Sequence, residues 1–384
     1  MKGSVSPRGK NVWRIRYDLP TTDPSVRKQA TETVHGPKHI AEKVLRERLA
    51  SLEAGTHVEK SKETLAQFMQ SWLDNYAVTH CQPRTVMGYR THIKLYIVPL
   101  LGHVPIQSLT PRHIQDFHAQ MLSSGLSKRT VLHAHRVLSE ALKHAMSWGI
   151  LARNPVQAVS PPKPEEQELE IWSLPIIQRF LDVIEGHPFQ DLFTITLLTG
   201  MRRSEITGLR WGGVDFEGNG LRVTGTLQRV TGMGLVEGPP KTKSSRRSIA
   251  LGQKAMTILN RIRSKQLEMQ LEYSDLYRNN AGYVFTDALG APIDSDRVSK
   301  EFAKVIKKAM LPHIRFHDLR HCHASLLLAD GTNIKAISER LGHSKVSTTL
   351  NIYSHLLPNI QAAAAEGLER QLARRGETAL SEVP

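Results

Sequence analysis

The chain has 384 residues, with 51 lysines and arginines against 36 aspartates and glutamates, for a formal net charge of +15 with histidine neutral. That length predicts two or three domains, each able to bury a core, and that charge favours a polyanionic partner through counterion release. Two cysteines, Cys81 and Cys322, exclude a disulfide framework and a Cys-x-x-Cys metal knuckle and suit a reducing cytosol.

Residues 1–35 read as short strands. Val12–Leu19 alternates apolar with polar residues, and Pro20 to Pro24 makes a turn. Residues 38–54 place Ile40, Ala41, Val44, Leu45, Leu49 and Leu52 on one helical stripe. A small sheet plus one helix, carrying Arg14 and Arg16, suits a DNA-reading module over residues 1–58. The plainer alternative is a capping subdomain without DNA contact. Gly55 to Lys62 reads as a linker. Residues 63–155 then form a helical unit. Leu65, Phe68, Trp72 and Leu73 share the face of a first helix, and Thr85 to Ile97 forms a second that ends before Pro99. Thr110 and Pro111 open a third, and Ser127 to Trp148 forms a fourth that Gly149 stops. Arg84, Lys94, Lys128, Arg129 and Arg136 are, as a group, the phosphate contacts expected of this unit. Residues 156–170, rich in proline and glutamate, read as an interdomain linker that lets two domains close around a duplex. No run approaches about 18 apolar residues, and no apolar segment follows Lys2, Arg8 and Lys10. The sequence therefore predicts neither membrane span nor signal peptide.

The second half, residues 171–384, carries the chemistry-bearing side chains. Leu192 to Leu198 is an apolar helix. Gly200 turns the chain after it, so that Arg202 projects from the start of the next helix. Glu205 is placed to orient Arg202 or to pair with Arg203. Strands at 221–226 and 246–251 flank a loop holding Pro239, Pro240, Lys241 and Lys243. His317 and Arg320, three apart, share one helical face, with Leu319 and Leu326 to Leu328 buried opposite. His317, His321 and His323 invite a zinc reading. The zincin pattern needs His-Glu-x-x-His, and here Asp318 and Arg320 stand in between, with an arginine that repels a cation. Metal binding is therefore not expected, and His321 is assigned to packing or a phosphate contact. Asp330 and Gly331 end that helix, Thr332 caps the next, and Ile334, Ile337 and Leu341 form its buried stripe up to Gly342. His343 follows on a turn. Ser347 or Thr348 caps a short helix on which Leu350 and Leu357 pack on the side of Tyr353.

Arg202, Lys241, His317, Arg320, His343 and Tyr353 together describe phosphoryl transfer through a tyrosine. A phenol can attack a phosphodiester and hold it as a covalent ester. Two guanidinium forks can grip non-bridging oxygens. A lysine or histidine can protonate the departing 5′ oxygen.

The segments around these residues carry a family resemblance. Thr199-Gly200-Met201-Arg202-Arg203-Ser204-Glu205-Ile206, followed by Leu209-Arg210-Trp211, resembles the first arginine box of the tyrosine recombinases, or phage integrase family. Met201 stands where leucine is common. Lys241-Thr242-Lys243-Ser244-Ser245-Arg246-Arg247 resembles their lysine hairpin, in which Lys241 matches the family position best and Lys243 is a rival general acid. His317-Asp318-Leu319-Arg320-His321 resembles their His-x-x-Arg box. Leu341-Gly342-His343-Ser344 through Asn351-Ile352-Tyr353-Ser354-His355 resembles the closing His…Tyr box. The resemblance is specific over roughly residues 171–360 and looser before that.

The resemblance implies a multidomain, mainly α fold with small antiparallel β-sheets: an arm-type DNA-binding domain, a helical (SAM-like) core-binding domain, and a mixed α/β catalytic domain with a C-terminal helix and tail. It implies an integrase of a temperate phage or integrative element. Such an enzyme cleaves DNA through a 3′-phosphotyrosyl link and needs neither metal nor nucleotide cofactor. It works in the cytoplasm, at the nucleoid, as a homotetramer on double-stranded DNA. A host DNA-bending protein and an excisionase are compatible partners, and a helix over Pro358 to Arg375 could dock on a neighbour. A chromosome-dimer-resolving recombinase fits less well, because those enzymes usually lack the strand-rich N-terminal domain. A type IB topoisomerase shares the chemistry but not all four boxes. A DNA-binding regulator on a recombinase fold would be expected to have lost one of the six residues.

Overall fold

The computed structural model describes residues 3–19, 28–53, 58, 61–165, 170–240 and 245–353, together with 365, 366 and 369. The chain divides into two compact units, Met1–Gln167 and Glu168–Pro384.

In the first unit, Gly3–Gly9, Val12–Leu19 and Lys28–His35 form an antiparallel sheet in that order. Ile15 pairs with Val5 on one side and Glu32 on the other. Successive side chains of a strand point to opposite faces. Ile15 and Tyr17 are accordingly buried with Ala41, Leu45 and Leu52 of the helix Lys38–Glu53. Arg14 is half-buried and Arg16 exposed, on the alternate positions. The turn expected at Pro20 to Pro24 lies outside the described residues, as does most of the Gly55 to Lys62 linker.

The helical part follows its caps. Thr64 and Gln67 form a capping box at Leu65–Trp72, and Thr110 and His113 form one at Pro111–Ser123. The Ser127 side chain accepts from the Thr130 N–H to start Lys128–Ser147, and Gly149 follows that helix with φ +72°. Phe68, Trp72, Ile97, Phe117, Leu138 and Leu142 fill the core. Arg84, Lys94, Lys128, Arg129 and Arg136 are all exposed, and Lys128 meets Glu165 at 2.9 Å.

Two expectations need correction here. The second helix does not end before Pro99. Pro83–His92 passes through a π-helical turn, Ile93–Ile97, into Val98–Leu101. Val98 N–H reaches back to Ile93 O, which shifts the register. Pro99 falls in the α-helical turn Val98–Leu101 that follows the π-helical register. The interdomain linker does not begin at residue 156 either. Pro155–Ala158 is a 3₁₀ turn capped by Asn154, and Val156 and Val159 are buried in the helical core. Counting prolines and glutamates overlooked two valines at helical spacing.

The second unit is built round the helix Gln190–Thr199. Phe180, Phe193, Phe302 and Phe316 cluster there, with Phe193 to Phe302 at 5.6 Å and Phe302 to Phe316 at 5.7 Å between ring centroids, both edge-on. Val214–Asp215, Gly220–Val223 and Arg247–Ala250 make a three-stranded antiparallel sheet. Between its last two strands lies a hairpin that the sequence reading missed, Thr226–Val230 with Gly234–Gly238. Long helices Gln253–Tyr273 and Ser295–Lys308 follow, then Leu319–Ala329, Ile334–Leu341 and Val346–Tyr353. Among the described residues, no helix is long and apolar enough to cross a membrane.

A pair of histidines makes the helical core acid-sensitive. His135 Nδ1 lies 3.2 Å from His118 Nε2, both buried. Burial lowers both pKa values, that of His135 to about 4 with help from His118 and Arg136. An unfolded chain protonates such residues near pH ~6.5, so the folded state loses stability as pH falls from about 6.5 to about 4. Amide exchange in the intact chain should show protection of Lys128–Ser147 falling across that window. His135→Asn should flatten the fall.

Candidate active site

The helix Gln190–Thr199 is apolar on nearly every side, and its threonines return their hydroxyls to carbonyls one turn back, Thr196 to Leu192 at 2.8 Å and Thr199 to Ile195 at 2.6 Å. It ends at Gly200, in the left-handed region with φ +65°. A Cβ there would sit 2.6 Å from the His323 ring and 2.9 Å from Leu341. Glycine is therefore required twice over, by conformation and by space. The turn delivers Arg202 to the N-cap of the short helix Arg203–Thr207. A second left-handed glycine, Gly342 at φ +69°, ends Ile334–Leu341 and delivers His343.

Arg320 joins the two turns. Its side chain is 2% exposed. Nη1 donates to Gly200 O at 2.7 Å, and Nη2 donates to Leu341 O. Arg202 adds a bond from Nη2 to Gly342 O at 3.2 Å. Burial and the Arg202 charge lower the Arg320 pKa to about 9, still charged at neutral pH. A guanidinium has five N–H donors, so two carbonyls leave capacity for a phosphate.

Beneath the arginines lies Glu205, 2% exposed. It does not pair with Arg203, which instead reaches Ser299 at 2.7 Å and Asp296 at 3.3 Å. Glu205 Oε1 accepts from Arg202 Nη1 at 2.8 Å, and Oε2 accepts from Arg247 Nη2 at 3.0 Å. Burial alone would raise its pKa. The bonds and charges of Arg247 and Arg202 outweigh that and hold it at about 2. Arg247 Nε also donates to Arg340 O at 2.6 Å, and Arg340 donates to His323 Nε2 at 3.1 Å. Neither Arg247 nor Arg340 was singled out from the sequence. The alternation of the strand Arg247–Ala250, with Ile249 buried, was the available signal that Arg247 points inward.

His317 lies in the 3₁₀ turn Phe316–Asp318, just before Arg320 in the first turn of Leu319–Ala329. Burial and the Arg320 charge lower its pKa to about 4. His343 Nδ1 lies 2.8 Å from Thr349 Oγ1, and burial with Arg320 and Arg202 takes its pKa to about 4 as well. Both are therefore neutral at pH 7 and able to offer hydrogen bonds rather than charge. Tyr353 is fully buried, and its hydroxyl lies 2.7 Å from His321 Nδ1. Burial raises the Tyr353 pKa against the lowering effect of Arg320. The structure thus brings together Arg202, His317, Arg320, His343 and Tyr353 with the unanticipated Arg247, Arg340 and His321–Tyr353 bond. Lys241 and Lys243 lie outside the described residues, between Pro240 and Ser245.

Details of the last helices differ from expectation. Asn333, not Thr332, caps Ile334–Leu341, its side chain accepting from Lys335 N–H at 2.8 Å. The last helix starts at Val346, so Ser347 and Thr348 lie inside its first turn. Leu350 is exposed, because Thr349 and Tyr353, four apart, occupy the inward face. Leu357 lies outside the described residues, as does nearly all of the proposed C-terminal docking helix.

Comparison with known proteins places the chain in a family. The phage integrase family model matches residues 177–359, and the N-terminal SAM-like domain model of phage integrases matches 64–122. A XerC-like tyrosine recombinase of Caldanaerobacter subterraneus subsp. tengcongensis is 32% identical over 96% of this chain and 98% of its own length. The ICEBs1 integrase of Bacillus subtilis is 31% identical over 69% of this chain and 72% of its own. The Tn1549 transposon integrase, solved in complex with a circular intermediate DNA, has a TM-score of 0.68 at 24% identity over 80% of this chain and 99% of that chain. The lambda integrase tetramer bound to a Holliday junction has a TM-score of 0.56 at 18% identity, covering 90% of this chain and 94% of that one. The chain belongs to the phage integrase family of tyrosine recombinases. It is a site-specific DNA recombinase of the kind that serves mobile elements.

The buried carboxylate gives a stability test. The depressed Glu205 pKa contributes stability above about pH 4.5 that is lost as pH falls toward about 2. Glu205→Gln should remove that acid dependence. At neutral pH it should cost about 3–5 kcal/mol, because Arg247 is left buried without its counter-charge. Denaturant unfolding of the intact chain across pH checks both. Gly200→Ala should also destabilise, and single-turnover cleavage should fall with it because Arg202 is displaced.

Proposed function

We propose that Tyr353 is the nucleophile of strand cleavage and that Arg202, Arg320, His317 and His343 hold the scissile phosphate. The observation that carries this reading is the pair of left-handed glycine turns, which deliver Arg202 and His343 to the buried Arg320 guanidinium. In the reaction, Tyr353 Oη bonds to phosphorus and the bond to the 5′ oxygen breaks. This leaves a 3′-phosphotyrosyl ester and a free 5′ hydroxyl. Lys241, or Lys243 in its place, protonates the leaving oxygen. The two guanidiniums meet charge developing on the non-bridging oxygens, and the neutral His317 and His343 donate hydrogen bonds to them. The ester conserves the phosphodiester's energy, so a 5′ hydroxyl from another strand can reverse the step. No metal or nucleotide enters this scheme.

The substrate is double-stranded DNA at attachment or crossover sites, and the working form is a homotetramer, as integration requires four cleavages on two duplexes. The helical domain, residues 63–155, contacts the core site through Arg84, Lys94, Lys128, Arg129 and Arg136, all of which are exposed. Residues 1–58 read separate arm sites through Arg14 and Arg16, and such a module is what a host bending protein and an excisionase would work with. The enzyme acts in the cytoplasm at the nucleoid. The net charge of +15 supports a DNA partner.

Expressing wild type and Tyr353→Phe in cells carrying the DNA that flanks the gene, then sequencing DNA covalently bound to protein, tests the scheme. Adducts with wild type and none with the variant are expected, at equal non-covalent occupancy. Occupancy without adducts from either protein would make the chain a DNA-binding regulator on a recombinase fold. On the crossover duplex so identified, Arg202→Lys should slow single-turnover cleavage by about 10²-fold, since an ammonium cannot reproduce the planar fork.

A further inference from the structure

The hydroxyl of Tyr353 needs a place to put its proton, and the arginines that surround the phosphate cannot take one. Burial, which keeps the phenol protonated, makes the need greater. Of the histidines brought to the site, His343 is engaged at Nδ1 with Thr349, and His317 stands edge-on to the His321 ring at 5.6 Å. His321 is the one that touches the hydroxyl, with Nδ1 2.7 Å from Oη. That distance lies within hydrogen-bond reach for a general base.

The bond is held from both sides. Tyr353 packs with Ala324, Leu328, Ile337 and Leu341, so the last helix is seated on the helix that carries His321. His321 follows Arg320 directly in the first turn of Leu319–Ala329. One helical turn therefore presents the phosphate fork and the imidazole side by side. The charges around the ring are mixed: Asp318 favours the imidazolium, while Arg320 and Arg315 oppose it together with burial, the largest effect, and the balance keeps the ring neutral. A neutral ring with its hydrogen on Nε2 has a free lone pair at Nδ1.

We propose that His321 is the general base of strand cleavage, accepting the Tyr353 proton at Nδ1 as the phenolic oxygen attacks phosphorus. The inference rests on Tyr353 being the nucleophile. In the forward step the Oη–H bond breaks and an Nδ1–H bond forms, while Oη–P forms and P–O5′ breaks. The leaving 5′ oxygen takes a separate proton from the lysine loop. In the rejoining step the attacking 5′ hydroxyl gives up its proton there, and Tyr353 recovers its own from His321. The cycle neither gains nor loses a proton.

The test uses the intact chain on the crossover duplex recovered by covalent capture. His321→Ala should slow single-turnover adduct formation by about 10²–10³-fold without changing DNA affinity. His321→Asn, which keeps the size of the ring's inner half but cannot take the proton, should be slowed similarly and guards against misfolding of the alanine variant. Incorporating difluorotyrosine, a more acidic phenol, at position 353 should return at least about tenfold of the lost rate in the His321 variants while changing the wild-type background little. A 5′-phosphorothiolate duplex, whose leaving group needs no protonation, should leave the His321 deficit in place. Rates within about threefold of wild type, or faster, would show His321 to be packing or a latch on a parked tyrosine. Slowing that difluorotyrosine does not relieve would reduce it to a steric support. Absence of adduct from the wild type would instead remove the Tyr353 reading itself.

Discussion

The interaction on which the site depends is the guanidinium of Arg320 bridging two carbonyls, Gly200 O and Leu341 O. Each carbonyl belongs to a helix end that terminates in a left-handed glycine turn, and each turn leads to a candidate site residue, Arg202 in one case and His343 in the other. Helix C-termini leave carbonyls without partners and carry partial negative charge. A buried cation is what such a pair of ends requires. Arg320 thus acts as the structural pin of two turns while keeping donors for a substrate. Residues 120 and 21 positions away in sequence are fixed by one planar group.

Part of the candidate site was legible because Arg202 and His343 each follow closely on a glycine that marks a helix end. Gly200 before Arg202 and Gly342 before His343 identify helix ends without any coordinates. The supporting shell was not legible. Strand alternation hints that Arg247 points inward, but the fold is what shows Arg247 meeting Glu205 and Arg340 meeting His323. Glu205 itself left two partners open in sequence, since Arg202 and Arg203 are both in reach, and the turn at Gly200 decides between them. Leu350 misled for a related reason. Apolar character suggested the inward face, but the helix phase is set by Thr349, bonded to His343, and by Tyr353, which packs with Ala324, Ile337 and Leu341.

The same distinction between local and distant signals holds for the fold. Thr110 and Ser127 announced two helix starts in the first unit because a cap acts within one turn. The passage through Pro99 was not announced, because a proline usually marks a boundary and here the helix continues past it through a π-helical turn. The hairpin Thr226–Val230 with Gly234–Gly238 was hidden by weak alternation and by glycines at both of its ends. Its closing strand runs into the segment that holds Lys241. Glu237 on that strand is bound by Arg210 and Tyr283, so the hairpin is anchored at its base beside the segment proposed to supply the general acid.

Charge balance explains why this arrangement suits a phosphate. Among the described residues, Arg202 and Arg247 both bond to Glu205, Arg340 is tied to the Arg247 side chain through its own carbonyl, and Arg320 is nearly enclosed nearby. One buried carboxylate cannot neutralise that many guanidiniums. The excess shows in the lowered pKa values of Arg320 and Arg340 and of His317 and His343, all pushed toward their neutral forms by burial and by neighbouring arginines. The cluster therefore carries positive charge in excess of its own counter-charge. Under the proposed chemistry the scissile phosphate supplies the missing negative charge, and binding it must stabilise the unit that holds it. The charge that the phosphate gains on the way to a five-coordinate phosphorus is met by groups already fixed in place, with no reorganisation at the moment of reaction. The histidines contribute differently. Kept neutral chiefly by burial, with those arginines adding to it, they can offer hydrogen bonds without adding repulsion, and His321 retains the lone pair that an imidazolium would lack.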